Sequence, residues 1–96
     1  MAQLFTYKNI NFKKHGASES LVVTGDIVNR SGRNYNAVVF RMVLFVKNTP
    51  VGSEVVTING FLNGQTRSFE KEVGDLDYSR IASSITQCDI YAESAY

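Results

Sequence analysis

The chain has 96 residues, a hydrophobic share of 44% and a formal net charge of +1, from 10 Lys and Arg against 9 Asp and Glu. This length predicts one domain over residues 1–96, with one modest core and little room for a deep cofactor cavity. The hydrophobic share excludes an intrinsically disordered chain. The near-neutral charge argues against a nucleic-acid binder, which needs a concentrated basic face. We therefore expect neither a cofactor nor a nucleic-acid partner.

Cysteine usage and hydropathy bear on the compartment. Cys88 is the only cysteine, which excludes an internal disulfide and a cysteine-based zinc site. The first residues have no basic start followed by a long apolar run, so they do not form a signal peptide. No segment approaches the roughly 20 apolar residues of a membrane helix. The sequence predicts a soluble cytoplasmic domain; the alternative is an exported or surface-tethered domain from which an export signal has been removed.

Two strands are predicted in the first third of the chain. Leu4 to Phe12 is rich in aromatic and β-branched residues and is expected to be an edge strand, followed by a polar loop over residues 13–16. Ser20 to Asn29 is the second strand, in which Gly25 indicates a bulge or a close backbone approach. A turn is expected over residues 29–32. The inward face of the second strand is predicted to carry Leu21, Val23, Gly25 and Ile27.

The strongest strand pattern runs from Ala37 to Lys47 and predicts a central strand packed on one side. Its second face is more apolar than is usual for a face that meets only water. The inward row is Val38, Phe40, Met42, Leu44 and Val46, and the other row is Val39, Arg41, Val43, Phe45 and Lys47.

The rest of the chain alternates turn signals with short strands. Residues 48–52 predict a turn at Pro50. Two Asn-Gly pairs, at 59–60 and 63–64, predict a hairpin. A single helical turn is expected around residues 77–82. The predicted strands are Ser53 to Asn59, Thr66 to Val73 with Phe69 and Val73 inside, and Ser84 to Ala95. The spacing predicts an all-β fold, an immunoglobulin-like antiparallel β-sandwich of six to seven strands.

Half of the chain, from Leu21 to Phe69, resembles the FxLYD family of small immunoglobulin-like β-sandwiches found in bacteria and archaea. Residues 23–29 are similar to a family strand that reads apolar-x-Gly-x-apolar-x-Asn, and residues 42–46 stand where the naming motif lies. Leu44 is its literal match there. The pattern from Ile58 through Leu62 and Gly64 to Phe69 resembles the segment that follows in the family. The resemblance implies no catalytic activity, no agreed binding residue, and an exported or membrane-tethered accessory domain.

Few side chains in the sequence are candidates for catalysis or modification. Cys88 and His15 would form a nucleophilic pair only within hydrogen-bond reach, and a buried inert cysteine is the ordinary alternative. Asp26 and Asp89 are conceivable paired carboxylates, although nothing in the sequence places them together. Residues 29–31 match a glycosylation sequon, which matters only in a secreted eukaryotic protein.

An acidic cluster and two glycines are the candidates for a metal site and a phosphate site. Glu72, Asp75 and Asp77 form a small acidic cluster, but they lack the spacing of a calcium loop, and solvated acids or a helix N-cap at Asp77 are favoured. Gly60 and Gly64 are not a phosphate loop, because a strand rather than a helix follows them.

The best functional candidate is the second face of the central strand, because an exposed apolar patch with aromatic and Arg residues is typical of an interface. Three occupants are open: the N-terminal segment with Phe5 and Tyr7, a second copy of the chain, or a foreign protein. The residues Tyr91 to Tyr96 are a further place where an edge could accept a strand. The tentative interaction patch is Val39, Arg41, Val43 and Phe45.

The sequence therefore predicts a non-enzymatic accessory or protein-interaction domain. The alternative is a homo-oligomeric structural subunit in which the same patch is buried between copies. A metal-binding domain ranks third, since His, Cys and clustered acids are few.

Overall fold

The computed structural model describes residues 4–96. Two three-stranded antiparallel sheets face each other, with strand orders β1-β2-β5 and β4-β3-β6. The predicted all-β sandwich is therefore confirmed, with six strands in the described residues. The elements are β1 (Phe5–Lys14), β2 (Ser20–Asn29), β3 (Tyr35–Val46), β4 (Thr49–Phe61), β5 (Thr66–Asp77), α1 (Tyr78–Ile81), a 3₁₀ turn (Ala82–Ser84) and β6 (Gln87–Ala95).

The core lies between the two central strands, β2 and β3. Their inward side chains alternate with outward ones, because successive residues of a strand point to opposite faces. The predicted inward rows of both strands are buried, except that Val46 is only half-buried. Val22 and Val28, which alternation assigns to the other face of β2, are also buried. Three phenylalanine rings join the layers, since Phe5 packs edge-on against Phe40 with 5.1 Å between centroids and lies 5.9 Å from Phe61. The buried cluster consists of Phe5, Leu21, Val23, Ile27, Val38, Phe40, Met42, Leu44, Val56, Ile58, Phe61, Phe69 and Val73.

β1 is an edge strand, as predicted, but it continues beyond Phe12 through Lys13 and Lys14. The predicted polar loop thus begins too early. Lys13 and Lys14 pair with Val22 and Leu21 of β2. Their ammonium groups lie 2.9 Å from Glu70 of β5 and 3.1 Å from Glu19 of the β1–β2 loop.

Gly25 marks a close backbone approach, as its place in the strand predicts. A Cβ built at this position would overlap Ile10 Cδ1 and lie 2.9 Å from Phe69 Cε2. The nearby bulge lies in β1, where the register shifts between Lys8 and Asn11 and Asn9 has φ 57°. The bulge is therefore on the neighbouring strand, and Gly25 accommodates it.

The turn predicted around Pro50 is wrong. β3 and β4 are joined by a tight turn at Lys47 and Asn48, in which Lys47 has φ 57°, and β4 has begun at Thr49. Pro50 is tolerated inside β4 because β4 is an edge strand, where a missing backbone N–H costs no ladder bond. A register shift follows between Leu44 and Phe45.

The hairpin predicted from the two Asn-Gly pairs is also wrong. Gly60, with φ 66°, lies inside β4, and only Gly64, with φ 81°, lies in the turn. The chain there crosses from β4 in one sheet to β5 in the other. Asn-Gly signals a chain reversal, but it does not specify which sheet the next strand joins.

The helical turn is confirmed as α1, and the Asp77 carboxylate accepts a hydrogen bond from Ser79 N at 3.0 Å as its N-cap. β5 is longer than predicted and ends at this cap. The last strand begins at Gln87 rather than Ser84, because the 3₁₀ turn occupies the preceding residues.

Neither helical segment in residues 4–96 has the length and apolar character needed to cross a bilayer.

Candidate functional site

The outer face of the sheet β4-β3-β6 brings together all four residues of the predicted patch. Val39, Arg41, Val43 and Phe45 are half-buried and lie in one row along β3. The register places Val55 of β4 and Tyr91 of β6 on either side of Arg41. Tyr91 is 49% exposed. The result is a mainly apolar strip along β3, with one residue from each flanking strand. We call it the β3 face, and it consists of Val39, Arg41, Val43, Phe45, Val55 and Tyr91.

Arg41 is the polar centre of the β3 face. Its Nε donates to Glu93 Oε2 at 3.1 Å, and its Nη1 donates to Ser53 Oγ at 3.1 Å. Ser53 belongs to β4 and Glu93 to β6, so the guanidinium bridges the two strands that flank β3. Because Glu93 already compensates its charge, a partner can cover Arg41 without supplying an acid.

The N-terminal strand does not cover this face. Phe5 and Tyr7 turn inward and pack edge-on against Phe40, with centroid distances of 5.1 Å and 6.0 Å. The expectation that these two aromatic residues shield the β3 face is therefore wrong. β1 belongs to the other sheet, and its aromatic side chains close the sandwich interior.

The structure does not bring Cys88 and His15 together. Cys88 lies in β6 and lines a cavity with Ile10 and Phe12, where burial and, to a smaller extent, the Asp89 charge raise its pKa to about 11. His15 follows β1 in the other sheet, with Nε2 4.0 Å from Glu72. A thiol with so high a pKa is a weak nucleophile at neutral pH.

Asp26 and Asp89 are likewise separated. Asp26 is on β2, where Asn9 donates to its carboxylate at 2.8 Å and Ser68 at 2.6 Å; these two hydrogen bonds lower its pKa. Asp89 lies on β6, in the other sheet. The two carboxylates therefore do not form an acid–base pair.

The acidic cluster also disperses. Asp77 caps α1 and Glu72 lies beside His15. Within residues 4–96, no group of three or more His, Cys, Asp or Glu side chains is close enough to hold a metal ion. Gly60 and Gly64 lie in a strand end and a turn, so they form no phosphate cradle.

Asn29 was predicted as the last residue of the second strand and part of the turn over residues 29–32, and the structure gives its side chain a larger role. Its side chain is fully buried, donates from Nδ2 to the carbonyls of Arg33 (2.9 Å) and Phe61 (3.1 Å), and accepts at Oδ1 from Ser31 N (3.0 Å). It thus organises the β2–β3 loop and ties it to the end of β4. The same burial makes it no acceptor for a glycan in the folded chain. The available signal was an Asn that ends an apolar strand directly before the turn residues Arg-Ser-Gly.

A second feature is a groove between the edge strands β1 and β6. Ile10 and Phe12 line two adjoining cavities of about 260 Å³ and 460 Å³. The smaller is completed by residues 85–88, and the larger by α1 and the 3₁₀ turn. We call this feature the β1–β6 groove.

No family model, curated protein or solved structure matches the chain.

Proposed function

We propose that this protein is a non-catalytic interaction domain that binds another protein through the β3 face. The observation that carries the proposal is the half-exposed apolar row Val39, Val43 and Phe45 on a central strand, which no other element of residues 4–96 covers. β3 is paired on both sides, with β4 and β6, so it presents its side chains from a hydrogen-bonded backbone that needs little ordering on binding.

The chemistry of the face supports a protein partner. Phe45 and Tyr91 offer aromatic anchors, and the Arg41–Glu93 pair offers polar recognition at the centre. Aromatic and arginine side chains dominate the binding energy of protein interfaces, whereas a flat sheet face offers no enclosed volume for a small molecule. The dispersal of Cys88, His15, Asp26 and Asp89 supports the absence of catalysis in this proposal.

The experiment compares wild type with Phe45→Lys and a matched control, Thr66→Lys, which adds the same charge at an exposed position of the other sheet. Tagged proteins are used to capture partners from the lysate of the native host, and the thermal stability of each variant is measured. We expect a stoichiometric partner with wild type and Thr66→Lys, and its loss with a folded Phe45→Lys.

Two results would count against the proposal. If Phe45→Lys loses more than about 3 kcal/mol of stability, Phe45 belongs to the core rather than to an interface. If the tagged protein captures only further copies of itself, and Phe45→Lys abolishes that, the β3 face joins subunits of a homo-oligomer.

We further propose an immunoglobulin-like fold of the FxLYD type. The strand orders 1-2-5 and 4-3-6 are those of strands A-B-E and C′-C-F in an immunoglobulin-like sandwich. Gly25 and Asn29, two positions of the family-like strand, have the structural roles described above, which supports the resemblance. Such a sandwich has a further strand beside F, and within residues 4–96 no strand pairs with β6 on that side.

A further inference from the structure

The two long sides of the sandwich differ. Between β4 and β5, the Arg67 guanidinium donates to the carbonyls of Asn59 and Gly60 at 3.1 Å, and Leu76 lies against Gly52, so the two sheets are tied together. Between β1 and β6, no hydrogen bond or ion pair joins the edges within residues 4–96. The β1–β6 side is therefore open.

The side chains that face the interior along this open side remain half-exposed. Ile10 and Phe12 of β1 and Cys88 and Ile90 of β6 pack against the core only in part. Met42 and Leu44, the β3 residues that pair with Ile90 and Cys88, are buried. Ile10, Phe12 and Cys88 form the floor of the smaller cavity of the β1–β6 groove, and Ile90 follows Cys88 on the same side of β6. An apolar floor of this kind is stabilised when an apolar side chain covers it.

The backbone of β6 gives the groove its second property. β6 pairs with β3 on one side and, among the strands of residues 4–96, with none on the other. Alternate N–H and C=O groups along this free edge therefore have no ladder partner in that part of the chain. A free edge beside an apolar groove fits an extended peptide, which satisfies the backbone groups and places every second side chain on the floor.

Charge defines the remaining side chains of that peptide. Asp89 is exposed on the outward side of β6, and within residues 4–96 no Lys, Arg or His nitrogen lies within 4.0 Å of its carboxylate. Its partner is the neutral amide of Gln87, at 2.6 Å. A strand added beside β6 would place its outward residues next to this uncompensated acid, which favours Lys or Arg there.

We propose that the β1–β6 groove binds an extended segment of another protein as a seventh strand beside β6, with apolar side chains alternating with basic ones. A second copy of this chain is a poorer occupant. Pairing two β6 strands would place Asp89 and Glu93 of both copies on one face of a continuous sheet, and like charges across strands are destabilising. The free edge of β6 and the groove do not include Val39, Val43 or Phe45, although Asp89 pairs with Val43 and borders the β3 face. Phe45→Lys therefore tests the β3 face alone, and the proline peptide tests pairing at the β6 edge alone.

The test uses blocked nine-residue peptides, matching the 9 residues of β6. The first alternates valine and lysine, the second has glutamate in place of lysine, and the third has proline in place of two valines. Each is titrated into the full chain, and backbone amide shifts and hydrogen exchange are followed by NMR. For the lysine peptide we expect shifts confined to β6 and the facing part of β1, slowed exchange along β6, slower alkylation of Cys88 and a Kd on the order of 1 mM or tighter.

Variants test the charge. Asp89→Lys should weaken the lysine peptide by about fivefold and make the glutamate peptide the better ligand, while Asp75→Lys, the same change at an exposed site on β5, should leave both unchanged. The proposal is overturned if the lysine peptide leaves β6 unperturbed at millimolar concentration, if the proline peptide binds equally well, or if Asp89→Lys keeps the original preference. It is also overturned if β6 amides become protected with rising protein concentration alone, since the occupant is then a second copy.

Discussion

Arg41 and Glu93 form an ion pair across the β3–β6 ladder, with Nε 3.1 Å and Nη2 3.5 Å from the two carboxylate oxygens. The guanidinium also reaches Ser53 on the other flanking strand. One side chain of the central strand therefore contacts both neighbours, on the same face that carries Val43 and Phe45. This contact joins the three strands of the sheet and compensates the charge of Arg41 at the centre of the β3 face.

We expect a double-mutant cycle of Arg41→Ala and Glu93→Ala to give a coupling energy of about 0.5–1 kcal/mol, measured by denaturant unfolding. The two side chains are 32% and 36% exposed, so water screens them less than a fully exposed pair. The matched control is Lys13 with Glu70, whose side chains are 54% and 62% exposed. Its coupling should be smaller, and an equal value for both pairs would contradict the role given to partial burial.

Gly25→Ala should destabilise the fold by about 1–3 kcal/mol, because the added methyl group overlaps Ile10 Cδ1 and crowds the buried Phe69 ring. Gly74→Ala is the control, since nothing lies within 4 Å of a Cβ built there. Ile10→Val removes the overlapping methyl group and should restore part of the loss in the Gly25→Ala background. Thermal melts of the four proteins decide this, and equal melting temperatures for the two alanine variants would exclude the close approach as the reason for glycine.

Asn29→Ala should cost about 2–3 kcal/mol, because it leaves the buried carbonyl of Phe61 and the N–H of Ser31 without their partner. Asn36→Ala, at an exposed position of β3, should stay within about 0.5 kcal/mol of wild type. Asn29→Asp keeps the acceptor for Ser31 and loses the donor to Phe61. We therefore expect its free energy of unfolding to lie clearly below that of wild type, at or beyond the midpoint between wild type and Asn29→Ala. Urea unfolding measures all three, and a harmless Asn29→Ala would show that the loop does not depend on this side chain.

The free energy of unfolding should decrease at alkaline pH because of the half-buried side chain of Tyr7. Burial raises the pKa of Tyr7 to about 12, against about 10 in an unfolded chain. Between these values the unfolded state has lost the phenolic proton and the folded state retains it, so the free energy of unfolding decreases as pH rises. The contribution of Tyr7 is complete below pH 10 and is lost as pH approaches about 12.

The measurement is denaturant unfolding between about pH 8 and pH 12 for wild type, Tyr7→Phe and the exposed control Tyr91→Phe. Tyr7→Phe keeps the ring against Phe40 and should flatten the alkaline decline, whereas Tyr91→Phe should reproduce the wild-type slope. Identical slopes for all three proteins would assign the decline to other groups.

Strand alternation was the most reliable sequence signal. In β2 and β3 it placed Leu21, Val23, Phe40 and Leu44 inward, and all four are fully buried. The same alternation placed Val39, Arg41, Val43 and Phe45 together on the opposite face of β3. These predictions succeed because side-chain direction along a strand follows from backbone geometry alone.

Turn signals were less informative. Lys47 rather than Pro50 makes the β3–β4 turn, and the chain after Asn63-Gly64 enters the other sheet. A local sequence favours a reversal of the chain, but the sheet that the next strand joins depends on which apolar face remains to be buried. The sheet that the next strand joins therefore depends on the packing of the whole sandwich and cannot be predicted from the turn sequence.

The local pattern of residues is thus sufficient for the strands, their inward faces and the β3 face, since each depends on neighbours in sequence. Tertiary structure decided the features that depend on distant residues. Asn29 is buried because Phe61 and Arg33 converge on it, Gly25 is required because a β1 bulge carries Ile10 over it, and the β1–β6 groove exists because two edge strands from different sheets face each other. Contacts between residues tens of positions apart form only when the sheets pack, and periodicity along a single strand carries no information about them.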